Sequence, residues 1–246
     1  VESATTLFSP EDFATSVGAT MVAWLDFDDP NVLFQDTAAA TPVTGSSQPI
    51  GRINDKISGA PFFSNGTTAQ KPTFDGSKAV FDGGDHLTSS DTNYWKFLHD
   101  GTRYVVMLRL LAPASPKTWQ DVLSNESSGN PQFRVFHDNR TGVNPIGMLM
   151  RNDSANILTS NLSYNNSLTT TLRNVVIRYE YDISGNDAIL RLEGSEVHQR
   201  DSANAPSANN PGVALRIGAN PSTGNERFVG SIERIENVAE RLIRDL

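Results

Sequence analysis

The chain has 246 residues, of which 37% are hydrophobic and none is cysteine, and its formal net charge is −8. This length is sufficient for one all-β domain with a full core, and the composition excludes disulfides and thiolate metal sites. The lack of cysteine favours a prokaryotic or viral product. Because basic residues are scattered singly along an acidic chain, we expect no nucleic-acid partner. No apolar run reaches the roughly 18 residues of a membrane helix, so we also expect no membrane insertion.

Short strand-like runs recur between turn signals in the first two thirds of the chain. The longest, residues 103–111, mixes β-branched, aromatic and other apolar residues without Gly or Pro. This pattern predicts a central strand that is covered on both faces. The other runs in this part lie at residues 21–25, 79–81, 121–123, 132–136 and 147–151. Trp24, inside the first run, is predicted to be a core residue.

A hairpin is predicted where residues 174–182 turn into residues 188–193. Along the first run, apolar and aromatic residues alternate with charged ones, as a half-buried antiparallel strand requires. One face is predicted to hold Val175, Ile177, Tyr179 and Tyr181. Residues 214–218 and 228–235 supply two further strands.

Helix signals are few and peripheral. Ser90 or Asp91 can cap a short helix that runs through Trp95 and Leu98 and ends at Gly101. Residues 238–246 are apolar at helical spacing. Many antiparallel strands with little helix predict an all-β fold, a two-sheet antiparallel jelly-roll sandwich with short peripheral helices. We expect one such domain over residues 21–246, preceded by an N-terminal arm over residues 1–20.

Several segments, in order along the chain, resemble phage- and prophage-encoded proteins with a concanavalin A-like (laminin G-like) jelly roll. Two of them are the Trp-x-Asp-x-x-Asp stretch at 24–29 and the Phe-Asp-Gly-Gly-Asp-His-Leu stretch at 81–87, and the order and spacing of all the segments together carry the resemblance. The others lie at residues 8–10, 33–36, 41–43, 48–51, 55–56, 71–74, 97–101 and 228–232.

This resemblance implies a non-enzymatic structural protein of a phage particle, a capsid decoration or tail-appendage module. Its partners would be other virion proteins, with the chain itself forming a homo-oligomer such as a trimer. The acidic charge favours the exterior of the virion, because packaged DNA would repel an acidic protein inside. The alternative from a different class is a lectin-like module that binds host-surface glycans during adsorption.

A third alternative is an atypical glycoside hydrolase. Glucanases on this fold carry Glu-x-Asp-x-x-Glu on one strand, where the carboxylates act as nucleophile and acid/base. Glu180 and Asp182 begin this pattern, but Gly185 stands where the last Glu is needed. Since glycine cannot donate a proton to a leaving group, we predict no catalytic residues and no hydrolysis.

Two acidic loops offer hard oxygen ligands of the type that calcium prefers. The candidate ligands are Asp26, Asp28, Asp29, Asp82 and Asp85. Asp and Gly are also the usual residues of tight turns, where the carboxylate accepts backbone N–H groups. We therefore predict turn-shaping carboxylates and no cofactor, with a calcium ion as the alternative.

Sugar binding requires an exposed aromatic ring beside polar side chains. Tyr94, Trp95 and Trp119 lie in or next to predicted loops and are the candidates for such a platform. Core packing is the alternative for all three, because amphipathic aromatic residues cover the edges of a core more often than they stack on ligands.

Overall fold

The computed structural model describes residues 20–113, 119–128, 130–138, 146–152, 156–160, 171–179, 188–192, 195–200, 206–223 and 226–240. These residues form two antiparallel sheets. Sheet A contains, in spatial order, β15 (Ser195–Arg200), β14 (Ala188–Leu192), β13 (Arg173–Tyr179), β8 (Arg103–Leu111), β17 (Val229–Glu240), β6 (Ala79–Asp82) and β5 (Thr73–Phe74), with β1 (Thr20–Asp26) also pairing with β17.

Sheet B is assembled largely from short strands. In spatial order it contains β12 (Asn156–Ser160), β11 (Ile146–Arg151), β10 (Gln132–Asp138), β9 (Trp119–Ser124), β16 (Arg216–Ile217), β7 (Leu87–Ser89), β4 (Phe63–Ser64), β3 (Arg52–Ile53) and β2 (Leu33–Phe34). Four of these strands are only two residues long, so their side chains alternate too briefly to give a recognisable pattern in the sequence.

The core lies between the two sheets and follows from alternation along each strand. In β8 every second residue, beginning at Tyr104, is buried, and the residues between them are half-buried. The Tyr104 ring packs against Tyr179 of the same sheet at 5.2 Å and against Phe133 of sheet B at 6.0 Å, measured between ring centroids. These aromatic contacts join the two sheets directly.

In the described part of the chain, three short 3-10 helices lie outside the sheets, at Pro30–Val32, Thr68–Gln70 and Tyr94–Leu98. The Asp29 side chain caps the first by accepting a hydrogen bond from the Asn31 backbone N–H. No helix in the described ranges is long and apolar enough to cross a lipid bilayer.

The structure confirms the predicted two-sheet antiparallel jelly-roll sandwich with short peripheral helices. It also confirms the pairing of the predicted hairpin, with Val175, Ile177 and Tyr179 buried on one face of β13. Tyr181 lies outside the described residues, as do residues 1–19 of the predicted arm.

Three predictions about individual elements were wrong. Residues 238–240 continue β17 instead of starting a helix, because Val238 pairs with β1 on one side and with β8 on the other. Residues 241–246 lie outside the described part. The strand over residues 103–111 is central, as predicted, but only one of its faces is fully buried. Trp24 is half-buried on the outside of sheet A, where the Lys56 ammonium lies 4.2 Å from its ring centroid.

His137 makes the stability of the domain dependent on pH. Its ring is fully buried on the inner face of β10, and neither ring nitrogen has a hydrogen-bond partner among the described residues. Burial lowers the pKa of His137 to about 4, and the opposing effect of Asp138 is smaller. The folded protein therefore keeps this ring neutral while the unfolded chain takes up a proton below its pKa of about 6.5.

We expect His137→Leu to raise the free energy of unfolding by about 1 kcal/mol at pH 7, because leucine leaves no unpaired polar atoms in the core. The wild type loses stability as pH falls from about 6.5 towards 4. Over that range the difference in the free energy of unfolding between the variant and the wild type should grow by about 3 kcal/mol. Urea denaturation of both proteins at pH 7, 5.5 and 4 measures the difference. A constant difference at all three values would contradict a neutral His137 in the folded protein.

Candidate functional site

A continuous row of polar side chains crosses the outer face of sheet B. Each member is paired directly with the next across the strands, so all side chains of the row project to the same side. We call it the polar row; it consists of Arg52, Ser64, Thr88, Arg216, Ser124 and Arg134. With strands about 4.8 Å apart, its five steps span about 24 Å.

The inner neighbours of this row fix its direction. Four residues that directly follow or precede members of the row in the sequence are fully buried in the core: Ile53, Phe63, Leu87 and Ile217. Because successive side chains of a strand point to opposite faces, the row residues must point away from the core. The short strands of sheet B thus place their polar residues on one surface.

The centre of the polar row has free hydrogen-bonding groups. The side chains of Ser64, Thr88 and Arg216 are half-buried, and none of them has a hydrogen bond or ion pair within the described part of the chain. Three adjacent strands therefore present two hydroxyl groups and one guanidinium group side by side. The guanidinium group can donate hydrogen bonds to a ligand, and the hydroxyl groups can both donate and accept them.

Arg52, at one end of the row, is held by the protein itself. Its Nε donates to Asn54 Oδ1 at 2.7 Å, and its guanidinium carbon lies 3.6 Å from the centroid of the Phe62 ring. Beyond it, Phe34 pairs with Arg52 and lines a cleft of about 370 Å³ together with Pro42 and Val43. This end of the row therefore adjoins an apolar concavity.

Arg134, at the opposite end, is enclosed by three carboxylates. Its guanidinium nitrogens lie 2.6 Å from Asp121 Oδ1, 2.8 Å from Glu126 Oε2 and 2.8 Å from Glu226 Oε2. Asn220 Nδ2 donates to the same two glutamate oxygens. We call this group the Arg134 cage. It fastens β9, β10 and the segment before β17 to one another.

Asp121 is the fully buried member of the cage. Burial raises the pKa of its carboxyl to about 7, although Arg134 acts in the opposite direction. Asp121, Glu126 and Glu226 bring carboxylate oxygens within 4.8 Å of one another, the spacing of a metal site. The Arg134 guanidinium already contacts all three, so the cation in this cluster is supplied by the protein.

Arg216 has a different surrounding from Arg134. Burial and the neighbouring Arg227 both lower the pKa of Arg216, and no acidic side chain raises it. His86, two positions before Thr88, has a buried Nδ1 without a hydrogen-bond partner among the described residues. Burial, together with Arg216 and Arg227, lowers the pKa of His86 to about 4. The centre of the row is thus locally basic in an acidic protein.

The structure separates the three aromatic candidates. Trp95 is only 2% exposed and donates from Nε1 to Ser89 Oγ at 2.8 Å, so it packs in the core and cannot offer a ring face to a sugar. Tyr94 is half-buried against Trp95, and its hydroxyl donates to the Val22 carbonyl at 2.6 Å. The prediction of a platform at Trp95 is therefore wrong for a simple reason: its loop folds inward.

Trp119 lies on sheet B, at the Arg134 end of the polar row. Its half-buried ring stacks on Phe136 with a centroid distance of 4.3 Å, and the Arg134 guanidinium carbon lies 5.1 Å from the ring centroid. Trp119 is thus the aromatic candidate that adjoins the row.

The first acidic loop already contains a cation. The Lys56 ammonium lies 3.3 Å from Asp26 Oδ2 and 3.0 Å from Asp29 Oδ2, between the two predicted ligands. Asp26 Oδ1 also accepts the Asp28 backbone N–H. A calcium ion at this position would have to displace Lys56.

In the second acidic loop the carboxylates hold the turn. Asp82 Oδ1 accepts the Gly84 N–H at 2.6 Å, and Asp85 Oδ2 accepts the Asp82 N–H at 2.9 Å. Burial, with a smaller contribution from Asp82, raises the pKa of Asp85 to about 6. None of the five predicted calcium ligands belongs to a three-ligand cluster in the described ranges. Glu180 and Asp182 of the incomplete hydrolase pattern lie outside those ranges.

A second, smaller cleft lies on the outer face of sheet A and has a volume of about 200 Å³. It contains Met107 and Val176 between the charged residues Arg109 and Arg234. The Nε of Arg109 lies 2.9 Å from Glu233 Oε1, and Arg234 also pairs with Asp26 and Glu233. Because these arginines are already neutralised, this cleft has less to offer a polar ligand than the polar row.

The polar row could not be found from the sequence. Its six members come from six strands, four of them two or three residues long, and it exists only through their pairing. The Arg134 cage likewise contains a hydrogen bond between residues 94 positions apart, Asn220 and Glu126. The one available signal was weak: Arg216 and Thr88 each precede or follow a residue of the core by one position.

The chain matches no protein-family model, and no curated protein matches it in sequence. Its fold is similar to that of the CBM40 of the Ruminococcus gnavus IT-sialidase bound to α2,3 sialyllactose, with a TM-score of 0.51, 14% identity and coverage of 65% of this chain and 89% of that one. It is also similar to domain 4 of AbnA, an extracellular GH43 arabinanase from Geobacillus stearothermophilus, in complex with arabinotriose. The TM-score is 0.52 at 13% identity, and the match covers 91% of this chain and 94% of that one. For Trypanosoma rangeli sialidase the TM-score is 0.55 at 11% identity, and the match covers 90% of this chain and 30% of that one. At these identities the similarity shows the fold alone.

Proposed function

We propose that the chain is a glycan-binding module and that the outer face of sheet B is its binding surface. The observation that carries this proposal is the set of unpartnered side chains of Ser64, Thr88 and Arg216 on three adjacent strands. A sugar presents many hydroxyl groups, and a ligand of this type needs several converging donors and acceptors on a preformed surface.

The two ends of the polar row add apolar surface. Phe34 lines the cleft at one end, and Trp119 lies at the other. Sugar rings combine polar edges with apolar faces, so a polar centre flanked by aromatic residues suits an oligosaccharide better than a single small ligand. Two of the proteins with a similar fold are described in complex with oligosaccharides, which agrees with this use of the sandwich.

The test is binding of the wild-type chain and three variants to a printed glycan array, followed by calorimetry with the glycan that binds best. Thr88→Val keeps the shape of the side chain but removes its hydroxyl, and Arg216→Gln removes the charge. We expect about a 5-fold loss of affinity for Thr88→Val, equivalent to one hydrogen bond, and at least about a 10-fold loss for Arg216→Gln.

The matched control is Arg178→Gln, because Arg178 is exposed on the outer face of sheet A. This variant should bind like the wild type. Absence of binding to every glycan, or a loss of affinity in Arg178→Gln alone, would refute the proposed surface. The virion role and the absence of enzymatic activity stay predictions from the sequence, and so does the oligomeric state.

A further inference from the structure

We propose that Arg216 is the receptor for an anionic group of the bound glycan, a carboxylate or a sulfate, at the centre of the polar row. This inference rests on the glycan-binding function proposed above and adds the chemical class of the ligand. It is carried by the contacts that Arg216 lacks and by the groups that surround it.

Arg216 is an exception among the arginines of this surface. Arg134 contacts three carboxylates, and Arg52 is held by Asn54 and by the Phe62 ring. Arg216 is half-buried yet has no acidic or hydrogen-bonding partner in the described part of the chain. A partly desolvated guanidinium group with five unpaired donors destabilises the folded protein unless a ligand supplies acceptors.

Arg216 and Thr88 are both partly exposed on the outer face of sheet B. Thr88 pairs with Arg216 on one side, and the fully buried Ser124 pairs with it on the other. The Ser124 hydroxyl accepts the Glu126 N–H at 3.2 Å, whereas the Thr88 hydroxyl has no partner among the described residues. An anion bound at Arg216 would therefore accept hydrogen bonds from its guanidinium group and one from the Thr88 hydroxyl.

The charges around Arg216 also favour an anion over a neutral group. Arg227 lies close enough to Arg216 to disfavour its charge, and its own Nη1 donates to the Gly84 carbonyl at 2.9 Å. His86 adds no charge at pH 7, because its pKa is lowered to about 4. Asp85 is one acidic group close to Arg227, and Arg227 lowers its pKa against the larger effect of burial. An incoming carboxylate or sulfate would relieve the repulsion between the two arginines, which a neutral sugar cannot do.

A planar guanidinium group fits these anions geometrically as well as electrostatically. It donates two parallel hydrogen bonds to the two oxygens of a carboxylate, or to two oxygens of a sulfate. The hydroxyls of Thr88 and Ser64, one and two strands away, are then placed to bind the uncharged remainder of the same saccharide.

The experiment compares matched glycans by calorimetry. Tetragalacturonate and sialyllactose serve as carboxylates, their methyl esters as neutral counterparts, and sulfated lactose with lactose as the sulfate pair. We expect the wild type to bind at least one anionic glycan at least about 10-fold more tightly than its neutral counterpart, with an affinity that falls as salt is raised. Arg216→Gln should bring that ratio close to one, while Arg178→Gln should keep it.

The outcomes separate the two proposals. A preference for sulfated lactose identifies sulfate as the source of the anion, and a preference for the acidic sugars identifies carboxylate. Equal binding of anionic and neutral glycans by the wild type overturns the role of Arg216 and leaves the glycan-binding function standing. No binding of any glycan, neutral ones included, overturns both.

A second measurement excludes a purely structural role for Arg216. Without ligand, Arg216→Gln should have a thermal midpoint equal to or above that of the wild type, because the variant loses the repulsion from Arg227 and no attractive contact. A midpoint several degrees lower would show that Arg216 stabilises the fold and would overturn its assignment as a ligand receptor.

Discussion

Replacing Arg134 by methionine is expected to lower the free energy of unfolding by about 3 kcal/mol at pH 8, with a fall in the thermal midpoint of roughly 6–12 °C. The reason is the Arg134 cage, in which one guanidinium compensates three carboxylates. Without it, the fully buried Asp121 has no cationic partner and lies beside Glu226. Glu126 and Glu226 are 20% and 27% exposed, so water compensates part of the loss there.

The loss should also depend on pH. Loss of the guanidinium raises the pKa of Asp121 above its already raised value of about 7, so a proton can replace the missing cation at low pH. The variant is therefore expected to be closer to the wild type at pH 5 than at pH 8. Chemical denaturation at both pH values measures this difference.

Two further variants serve as controls. Arg178→Met removes an exposed arginine from sheet A and should change the stability by less than about 0.5 kcal/mol. Adding Asp121→Asn to Arg134→Met removes the buried charge and should recover part of the loss. If Arg134→Met is no less stable at pH 8 than Arg178→Met, the cage does not stabilise the fold as described.

Gly230→Ala is expected to lower the free energy of unfolding by about 4 kcal/mol, which is enough to reduce the yield of folded protein. Gly230 lies within β17 with φ of +153°, a region that residues with a Cβ rarely adopt. A Cβ there would clash with the Leu111 carbonyl oxygen and would lie 2.5 Å from Phe228 Cζ. The Leu111 carbonyl belongs to the neighbouring central strand and cannot move without disturbing sheet A.

The matched control for this change is Gly45→Ala, because a Cβ at Gly45 would meet no atom within 4 Å. Its free energy of unfolding should remain within about 0.5 kcal/mol of the wild-type value. Circular dichroism during heating distinguishes the two variants. Equal midpoints for Gly230→Ala and Gly45→Ala would mean that β17 relaxes freely at this position, contrary to the packing described.

The long elements of this fold could be predicted from the sequence because their side chains alternate over several residues. Residues 173–179 are the clearest example, with three buried apolar or aromatic side chains on one face. The last strand was partly mistaken for a helix. The apolar spacing over residues 238–246 is helical, but residues 238–240 pair with β1 and β8, and this pairing makes them part of the strand.

The candidate site could not be predicted in the same way. Trp95 was selected as an aromatic residue in a loop, but the sequence does not reveal that its short helix turns the ring into the core. The sequence does not single out Arg216, because the importance of this residue comes from the partners that it lacks in the described structure. Absent partners become visible only when the positions of all acidic groups nearby are known.

The most direct test of glycan binding at sheet B is the mapping of amide chemical shifts while the wild-type chain is titrated with the glycan that binds best on the array. We predict that the largest shifts occur at Ser64, Thr88 and Arg216. Largest shifts at Met107, Val176 and Glu236 would place the ligand in the cleft on sheet A and contradict the proposed surface.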